Sequence, residues 1–411
     1  MTAPATPERA ATLHGTAMRG WAACAVLEDG SLWCWGANGS GQLGLGWRGA
    51  AWLSQAITDV ARWSTIEAGW KLGCGLDRAG QAWCWGADAS PFVSAMGSHV
   101  DAQRPVLVAP GVSDWTGLSG YSGHTCGIRA DGSLWCWRAN NTGQLGNGGT
   151  TQAYDPVPVQ GAGPWSVVSA GNGHTCAVKA DATLWCWGDG AHGRLGNGDT
   201  TARRSPVQVD LPPAWRTVSA GTSHACGLDA QGELWCWGRS SGGSLGVLGL
   251  GGDQTRPVAV RPGERWLTVR AGDLNTCAVR EDNTSWCWGV NASGQVGDGS
   301  LVVKHEPSQV GVDAGWSDTQ IATSHACGLR HGKLYCWGGN DWGQLGVRSH
   351  VIHPLPEPVR PDLDFTSFSV AERVSGAVDT TGQGWCWGFN GAGQLGDGLS
   401  WLRTPAEVPK P

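Results

Sequence analysis

The chain has 411 residues, of which 66 are Gly, 21 are Pro and 27 are Trp, and 28 Lys and Arg face 34 Asp and Glu. The basic residues are scattered rather than clustered, which argues against a nucleic-acid partner. No stretch approaches about 18 consecutive apolar residues, so we expect no membrane-spanning segment.

One strand motif recurs along the whole sequence. Trp-Cys-Trp-Gly, with Tyr in place of the first Trp in one copy, occurs eight times at intervals of 49 to 52 residues. The copies begin at Trp33, Trp83, Trp135, Trp185, Trp235, Trp286, Tyr335 and Trp385. A regular period of this length is typical of a repeat protein.

Each repeat contains four extended segments separated by turn residues. In the fourth repeat these segments are residues 165–171, 174–178, 184–188 and 206–209. Four short strands per repeat are typical of a propeller blade, whereas the coils of a β-solenoid, the alternative, are shorter. We therefore predict an all-β fold, a single circular β-propeller of four-stranded blades, with eight blades and seven as the alternative. Residues 21–411 would form the propeller, and residues 1–20 an N-terminal extension or first strand.

The repeat also resembles that of a known family. Residues 171–178, 184–188 and 193–198 carry Gly-Asn-Gly-His-Thr-Cys-Ala-Val, Leu-Trp-Cys-Trp-Gly and Gly-Arg-Leu-Gly-Asn-Gly, and together they resemble the repeat of the regulator of chromosome condensation family. The resemblance implies a propeller, usually of seven blades. It also implies a range of roles, because the family includes exchange factors for a small GTPase, a secreted β-lactamase inhibitor and a plant UV-B photoreceptor. Repeat 8 departs most, with Arg373-Val374 at the expected place of the His-Thr pair.

The cysteines are spaced as cross-strand pairs. In the first repeat, a three-residue turn at residues 28–30 places Cys24 opposite Cys34 at a non-hydrogen-bonded site, where Cα atoms approach to about 4.5 Å, within disulfide range. In repeat 7 the two-residue turn His331-Gly332 preserves this opposition although its cysteines are closer in sequence. We predict seven disulfides: Cys24/Cys34, Cys74/Cys84, Cys126/Cys136, Cys176/Cys186, Cys226/Cys236, Cys277/Cys287 and Cys327/Cys336. Cys386 faces Gly376 and is predicted to be a free thiol.

The cysteines have two alternative roles, as small apolar core residues and as zinc ligands. Zinc is disfavoured because the sequence has no Cys-x-x-Cys knuckle. Seven disulfides require an oxidising compartment. We therefore predict an extracellular or periplasmic protein, a bacterial secreted variety of the family, although residues 1–20 contain no apolar segment of the kind that signal peptides carry.

Six Trp residues lie outside the positions that the repeat shares. Trp47 and Trp401 occupy nearly the same loop in repeats 1 and 8, which ring closure makes neighbours, and Trp342 lies in the corresponding loop of repeat 7. We predict that these three form an aromatic binding patch on one face; the alternative is that they pack against their own loops. Further binding candidates are Trp52, Trp70 and Arg138, the last of which replaces a Gly of the repeat.

The sequence offers no recognisable catalytic motif. It has no His-Glu-x-x-His, no phosphate-binding loop and no Gly-x-Ser-x-Gly elbow, so no catalytic residue, metal or cofactor is predicted. The leading hypothesis is an exported, disulfide-stapled scaffold that binds another protein through one ring face. The alternatives are a propeller enzyme, such as a polysaccharide lyase or hydrolase with its site at the ring centre, and a carbohydrate-binding lectin.

Overall fold

The structure is a computed structural model. It describes residues 16–19, 22–26, 30–36, 51–57, 63–68, 72–86, 102–121, 123–161, 163–212, 214–349, 351–371, 373–381, 384–389 and 401–407. These residues form antiparallel β-strands and two short 3-10 turns, Ala191–Gly193 and Ser241–Gly243. None of the helices in this part of the chain has the length and apolar character needed to cross a bilayer.

The first four sheets each consist of four consecutive strands. Their bounds are β1 Thr16–Arg19, β2 Ala22–Val26, β3 Leu32–Gly36, β4 Ala51–Ile57; β5 Trp63–Ala68, β6 Leu72–Asp77, β7 Ala82–Gly86, β8 Ala102–Leu107; β9 Trp115–Gly120, β10 His124–Arg129, β11 Leu134–Arg138, β12 Ala153–Pro158; and β13 Trp165–Ala170, β14 His174–Lys179, β15 Leu184–Gly188, β16 Arg203–Val209.

The next four sheets repeat this arrangement. Their bounds are β17 Trp215–Ala220, β18 His224–Asp229, β19 Leu234–Gly238, β20 Gln254–Val260; β21 Trp266–Ala271, β22 Asn275–Arg280, β23 Thr284–Gly289, β24 Lys304–Ala314; β25 Trp316–Ile321, β26 His325–Arg330, β27 Lys333–Gly338, β28 His353–Val359; and β29 Phe365–Val370, β30 Val374–Asp379, β31 Gly384–Phe389, β32 Trp401–Glu407.

The sheets follow one another around a ring. The second strand of each sheet contacts the first strand of the next, as β10 contacts β13, and β1 contacts both β29 and β30. First strands line a central channel, whose cavity of about 480 Å³ is bordered by β5, β9, β13, β17, β21, β25 and β29. The predicted all-β propeller of four-stranded blades is confirmed.

Seven disulfides join the second and third strands of successive sheets. They are Cys24–Cys34, Cys74–Cys84, Cys126–Cys136, Cys176–Cys186, Cys226–Cys236, Cys277–Cys287 and Cys327–Cys336. Their Cα–Cα distances are 4.0 to 4.2 Å, those of directly opposed residues. All seven predicted pairs are therefore confirmed, including the pair in repeat 7 that is spaced by nine residues.

The second Trp of the strand motif forms the core between sheets. Trp187 is fully buried and packs with Trp165 against the Cys126–Cys136 disulfide of the preceding sheet. Its indole Nε1 donates a hydrogen bond to the Gln144 carbonyl oxygen of that sheet at 2.9 Å. The same bond recurs from Trp237, Trp288, Trp337 and Trp387 to the carbonyls of Arg194, Ser244, Gln295 and Gln344.

The approach of this indole explains a glycine of the repeat. Gly146 has φ +66°, and a Cβ built on it would lie 2.7 Å from Nε1 of Trp187. Any larger residue would push the indole away from the Gln144 carbonyl. The second Gly of the Gly-Gln-Leu-Gly loop therefore serves the packing between sheets, not ligand binding.

Buried histidines link neighbouring sheets. His124 Nε2 lies 2.7 Å from Thr175 Oγ1, and that hydroxyl donates to the Gln144 carbonyl oxygen at 2.9 Å, so Nε2–H is the donor to Thr175. Burial lowers the pKa of His124 to about 4, which keeps the ring neutral near pH 7. His224 with Thr276 and His325 with Ser375 repeat the arrangement. Each of these hydrogen bonds joins two adjacent sheets.

His174 lacks this partner because Ala225 occupies the hydroxyl position. Neither ring nitrogen of His174 makes a hydrogen bond, and burial lowers its pKa to about 3. The substitution Ala225→Ser would place a hydroxyl between His174 and the Arg194 carbonyl. We expect it to stabilise the fold by about 1 kcal/mol, measured by urea denaturation.

The matched control is Ala326→Ser, where the preceding sheet presents Asn275 instead of His. The Asn275 side chain already donates to the Trp288 carbonyl, so this change offers no hydroxyl partner to a histidine. An equal gain in the free energy of unfolding from both substitutions would contradict a hydrogen bond between the new hydroxyl and His174.

The last repeat provides a test of the strand register. Gly376 is the Cα partner of Cys386, at the position where other sheets carry a disulfide. The substitution Gly376→Cys is expected to form an eighth disulfide and to raise Tm by several degrees. Intact mass after alkylation should show one reactive thiol in the wild type and none in the variant, both without reduction.

Gly376→Ser is the control, because it adds a side chain of similar size without a thiol. A free pair of thiols in Gly376→Cys under oxidising conditions would show that the register of β30 and β31 is different.

Candidate functional site

The described connections between strands lie at the two ends of the sheets. The connections between first and second strands and between third and fourth strands lie at the same strand ends, because consecutive antiparallel strands alternate in direction. In the fourth sheet these connections are residues 171–173 and 189–202. We call the surface they form the loop face. In the seventh sheet, residues 339–349 belong to this face.

Of the predicted binding residues, the structure describes the side chains of Trp342 and Arg138. Trp342 lies on the loop face with 39% of its surface exposed. Trp47 and Trp70 lie outside the described residues. Trp52 and Trp401 lie in β4 and β32, and their side chains fall outside the described part of the chain.

Arg138 lies beneath the loop face. It ends β11, is 5% exposed, and adopts φ +82° where the equivalent residues are glycines such as Gly188. A left-handed backbone is unfavourable for any residue other than Gly. Its burial leaves little surface for a partner to contact.

Trp342 belongs to a cluster with two residues of the eighth sheet. Its ring packs edge-on against Phe389, with centroids 4.9 Å apart. The Arg373 guanidinium lies 5.1 Å from the Trp342 ring centroid and 5.8 Å from that of Phe389. We call these three residues the aromatic–guanidinium cluster. Trp401 is the Cα partner of Phe389, which brings its backbone beside the cluster.

Hydrogen bonds fix the backbone around the cluster. The Trp342 N–H donates to Gln344 Oε1 at 2.9 Å, and Asn340 Oδ1 accepts the Leu345 N–H at 3.0 Å. On the other side, the Phe389 N–H donates to the Arg373 carbonyl oxygen at 3.0 Å. Both halves of the cluster are therefore held in place without a ligand.

The position of Arg373 corrects one detail of the sequence analysis. Val374 pairs with Gly388, as His174 pairs with Gly188, so the residues equivalent to the His-Thr pair are Val374-Ser375. The Arg373-Val374 assignment was wrong by one residue, because Gly376 opposite Cys386 fixes the register. Arg373 stands instead in the loop position that precedes the pair.

Sequence reasoning missed two members of the cluster. Phe389 follows the Trp-Cys-Trp-Gly strand, where other repeats have small or polar residues such as Ala139 and Asp189. Arg373 replaces the Gly or Ser of repeats 3, 4, 5 and 7. A comparison of the repeats position by position would have found both residues, whereas the search for extra Trp residues found Trp342 alone.

A second feature of the loop face is a group of hydrogen-bonded side chains at the channel mouth. The Tyr121 hydroxyl lies 2.9 Å from Thr222 Oγ1 and donates to Asp273 Oδ1 at 3.3 Å. Thr222 and Thr323 also donate to the Asp273 carboxylate, at 2.6 and 2.8 Å. These residues come from the third, fifth, sixth and seventh sheets, so Tyr121 reaches across the mouth.

A buried arginine supports the same face. Arg194 is 6% exposed and donates to the Thr222 carbonyl oxygen at 3.1 Å, and its Nη1 lies 3.2 Å from Asp189 Oδ2. Burial lowers the pKa of Arg194. Beside it is a cavity of about 390 Å³ between the third, fourth and fifth sheets. These contacts fix the loops around the mouth.

Few of the described residues at the ring centre carry charge. No group of three or more His, Cys, Asp or Glu among them is placed to hold a metal ion. Of the described residues that line the channel cavity, Arg270 alone is charged, and it lies 3.4 Å from Asp318.

Comparisons with known proteins identify related sequences and folds. A family profile described as RCC1-like domain matches residues 101–410, and one described as regulator of chromosome condensation (RCC1) repeat matches residues 20–42. No curated protein sequence matches significantly.

Solved structures share the fold. Human WBSCR16 superposes with a TM-score of 0.68 at 18% identity over 83% of this chain and 98% of its own. Prp20p of Saccharomyces cerevisiae, described with its binding properties to Gsp1p and histones, gives 0.64 at 20% identity over 83% and 86%. Yeast RCC1 (Prp20) bound to Kap60 gives 0.65 at 16% identity over 100% and 90%.

Proposed function

The chain belongs to the RCC1-like domain family, as its motifs predicted, and from this we propose that it is a scaffold that binds another protein through its loop face. The observation that carries the proposal is the exposed aromatic–guanidinium cluster. Trp and Arg are enriched among the residues that dominate binding energy at protein interfaces. The described binding of Prp20p to Gsp1p and histones, and of yeast RCC1 to Kap60, supports a protein as the partner.

The organisation of the cluster favours a protein over a glycan. A lectin built from repeats would carry equivalent sites on several blades. Among the described loops, Trp342 is the one tryptophan on the loop face, and the equivalent positions hold Thr142, His192, Gly242 and Ser293. A single asymmetric site suits one partner docked in one orientation.

We also propose that the protein works outside the cytoplasm, in an extracellular or periplasmic setting. The support is chemical, because the seven disulfides are buried and persist only under oxidising conditions. Alkylation during extraction from the source cells tests this. Fifteen reactive thiols in the freshly trapped protein would contradict it.

We propose further that all eight sheets are blades of one ring, in place of the seven that are usual in the family. The contacts of β1 with β5 and β29 support the inclusion of the N-terminal sheet. A chain that begins at residue 58 would then lack a blade and should unfold at a much lower temperature. Retention of the full-length Tm would favour seven blades.

The binding role is tested by partner capture with matched variants. The wild type, Trp342→Ala and Leu267→Ala are immobilised and exposed to the secreted and envelope fractions of the source organism. Leu267 is 44% exposed at the start of β21, away from the loop face. We expect a protein retained by the wild type and Leu267→Ala, with affinity about tenfold or more weaker for Trp342→Ala.

Equal Tm values for the three proteins ensure that the comparison concerns the surface. Equal capture of every retained protein by all three would contradict binding through the loop face. Retention of glycans alone would replace the proposal by the lectin alternative.

A further inference from the structure

We propose that the aromatic–guanidinium cluster recognises an acidic side chain of the protein partner, flanked by an apolar residue. This inference rests on the proposed function and specifies the chemistry of its site. It comes from the charge of Arg373, from the rings beside that charge, and from the absence of this combination at the equivalent places of the third to seventh sheets.

The charge of Arg373 is not neutralised within the described part of the chain. No described carboxylate lies within ion-pair distance of it, and its contacts there are the two aromatic rings. Three other arginines near the channel and loop face differ. Arg194 pairs with Asp189, Arg203 with Asp199, and Arg270 with Asp318. A half-buried cation of this kind, on the loop face, is complementary to an anionic partner.

The two aromatic rings determine which part of the Arg373 guanidinium can contact a partner. A guanidinium held over aromatic rings interacts through its flat face, while its N–H groups lie in the plane of the group. Those groups match the two oxygens of a carboxylate. Trp342, exposed and next to them, can cover an apolar side chain beside the acid. The cluster therefore fits Asp or Glu next to an aliphatic or aromatic residue.

The fold itself does not require this arginine. The residue that precedes the strand-pair position is Gly123, Gly173, Ser223 or Ser324 in other sheets, and those blades keep the same topology. Phe389 and Trp342 likewise replace small or polar residues of the repeat. Three departures from the repeat that meet at one exposed point indicate a binding role rather than a packing role.

The experiment uses a probe of known composition. A phage library of random decapeptides is selected on the immobilised full-length wild type, and the enriched peptides are synthesised and titrated against each variant. We expect peptides that carry Asp or Glu beside an apolar residue. Binding should fall about tenfold or more in Arg373→Gln and less in Arg373→Lys, which keeps the charge but loses the planar fork.

Arg348→Gln is the matched control, because Arg348 is an exposed arginine of a nearby loop on the same face. It should bind the peptides like the wild type. Replacement of the peptide Glu by Gln should weaken binding to the wild type and have little effect on Arg373→Gln, since the two changes remove the same contact.

The outcomes separate this inference from the proposed function. Peptides or a partner that depend on Trp342 but bind equally well to Arg373→Gln would overturn the acidic recognition and leave protein binding intact. Enrichment of peptides without acidic residues would also overturn it. If the captured partner depends on neither Trp342 nor Arg373, protein binding at this cluster fails as well.

Discussion

The structure depends on a buried indole that joins each blade to the one before it. The second Trp of the strand motif packs against the preceding disulfide, and its Nε1 donates to a loop carbonyl of that blade. Water is excluded there, so an unpaired indole N–H or carbonyl would cost about 1–3 kcal/mol. The requirement recurs at every junction described in full. It explains why the Trp, the Cys pair and the second Gly of the loop are repeated together.

We expect the binding function on surfaces that take no part in these buried contacts between blades. The indole, disulfide and histidine positions lie inside the ring, and a partner cannot reach them. The loop face is under no such constraint, and there the blades differ. Tyr121 donates a hydrogen bond to Asp273 at the channel mouth, and Trp342 contacts Phe389 and Arg373 of the next blade. A rigid ring holds these unequal loops in fixed positions, which limits the entropy lost when a partner binds.

Much of the fold could be predicted from the sequence because its determinants are local. The hairpin turns set which residues face each other, so the seven disulfides and the position of Gly376 opposite Cys386 could be deduced by counting. The candidate site was predicted only in part. Trp342 was found because it is a Trp outside the positions that the repeat shares. Phe389 and Arg373 are recognised as part of the site only because the structure places them against Trp342 of the neighbouring blade. The burial of Arg138 likewise could not be predicted from the sequence.

The sequence by itself determined the repeat, the four strands of each blade, their register and the cysteine pairing, since these follow from alternation and turn length within about 50 residues. The tertiary structure decided what lies between blades. It joined His124 to Thr175 and left His174 without a partner opposite Ala225. It also brought Tyr121 to Asp273 across the ring, more than one hundred residues away in sequence. Such contacts depend on how the sheets are arranged around the channel. A local sequence pattern carries no information about that arrangement, so these contacts could not be predicted.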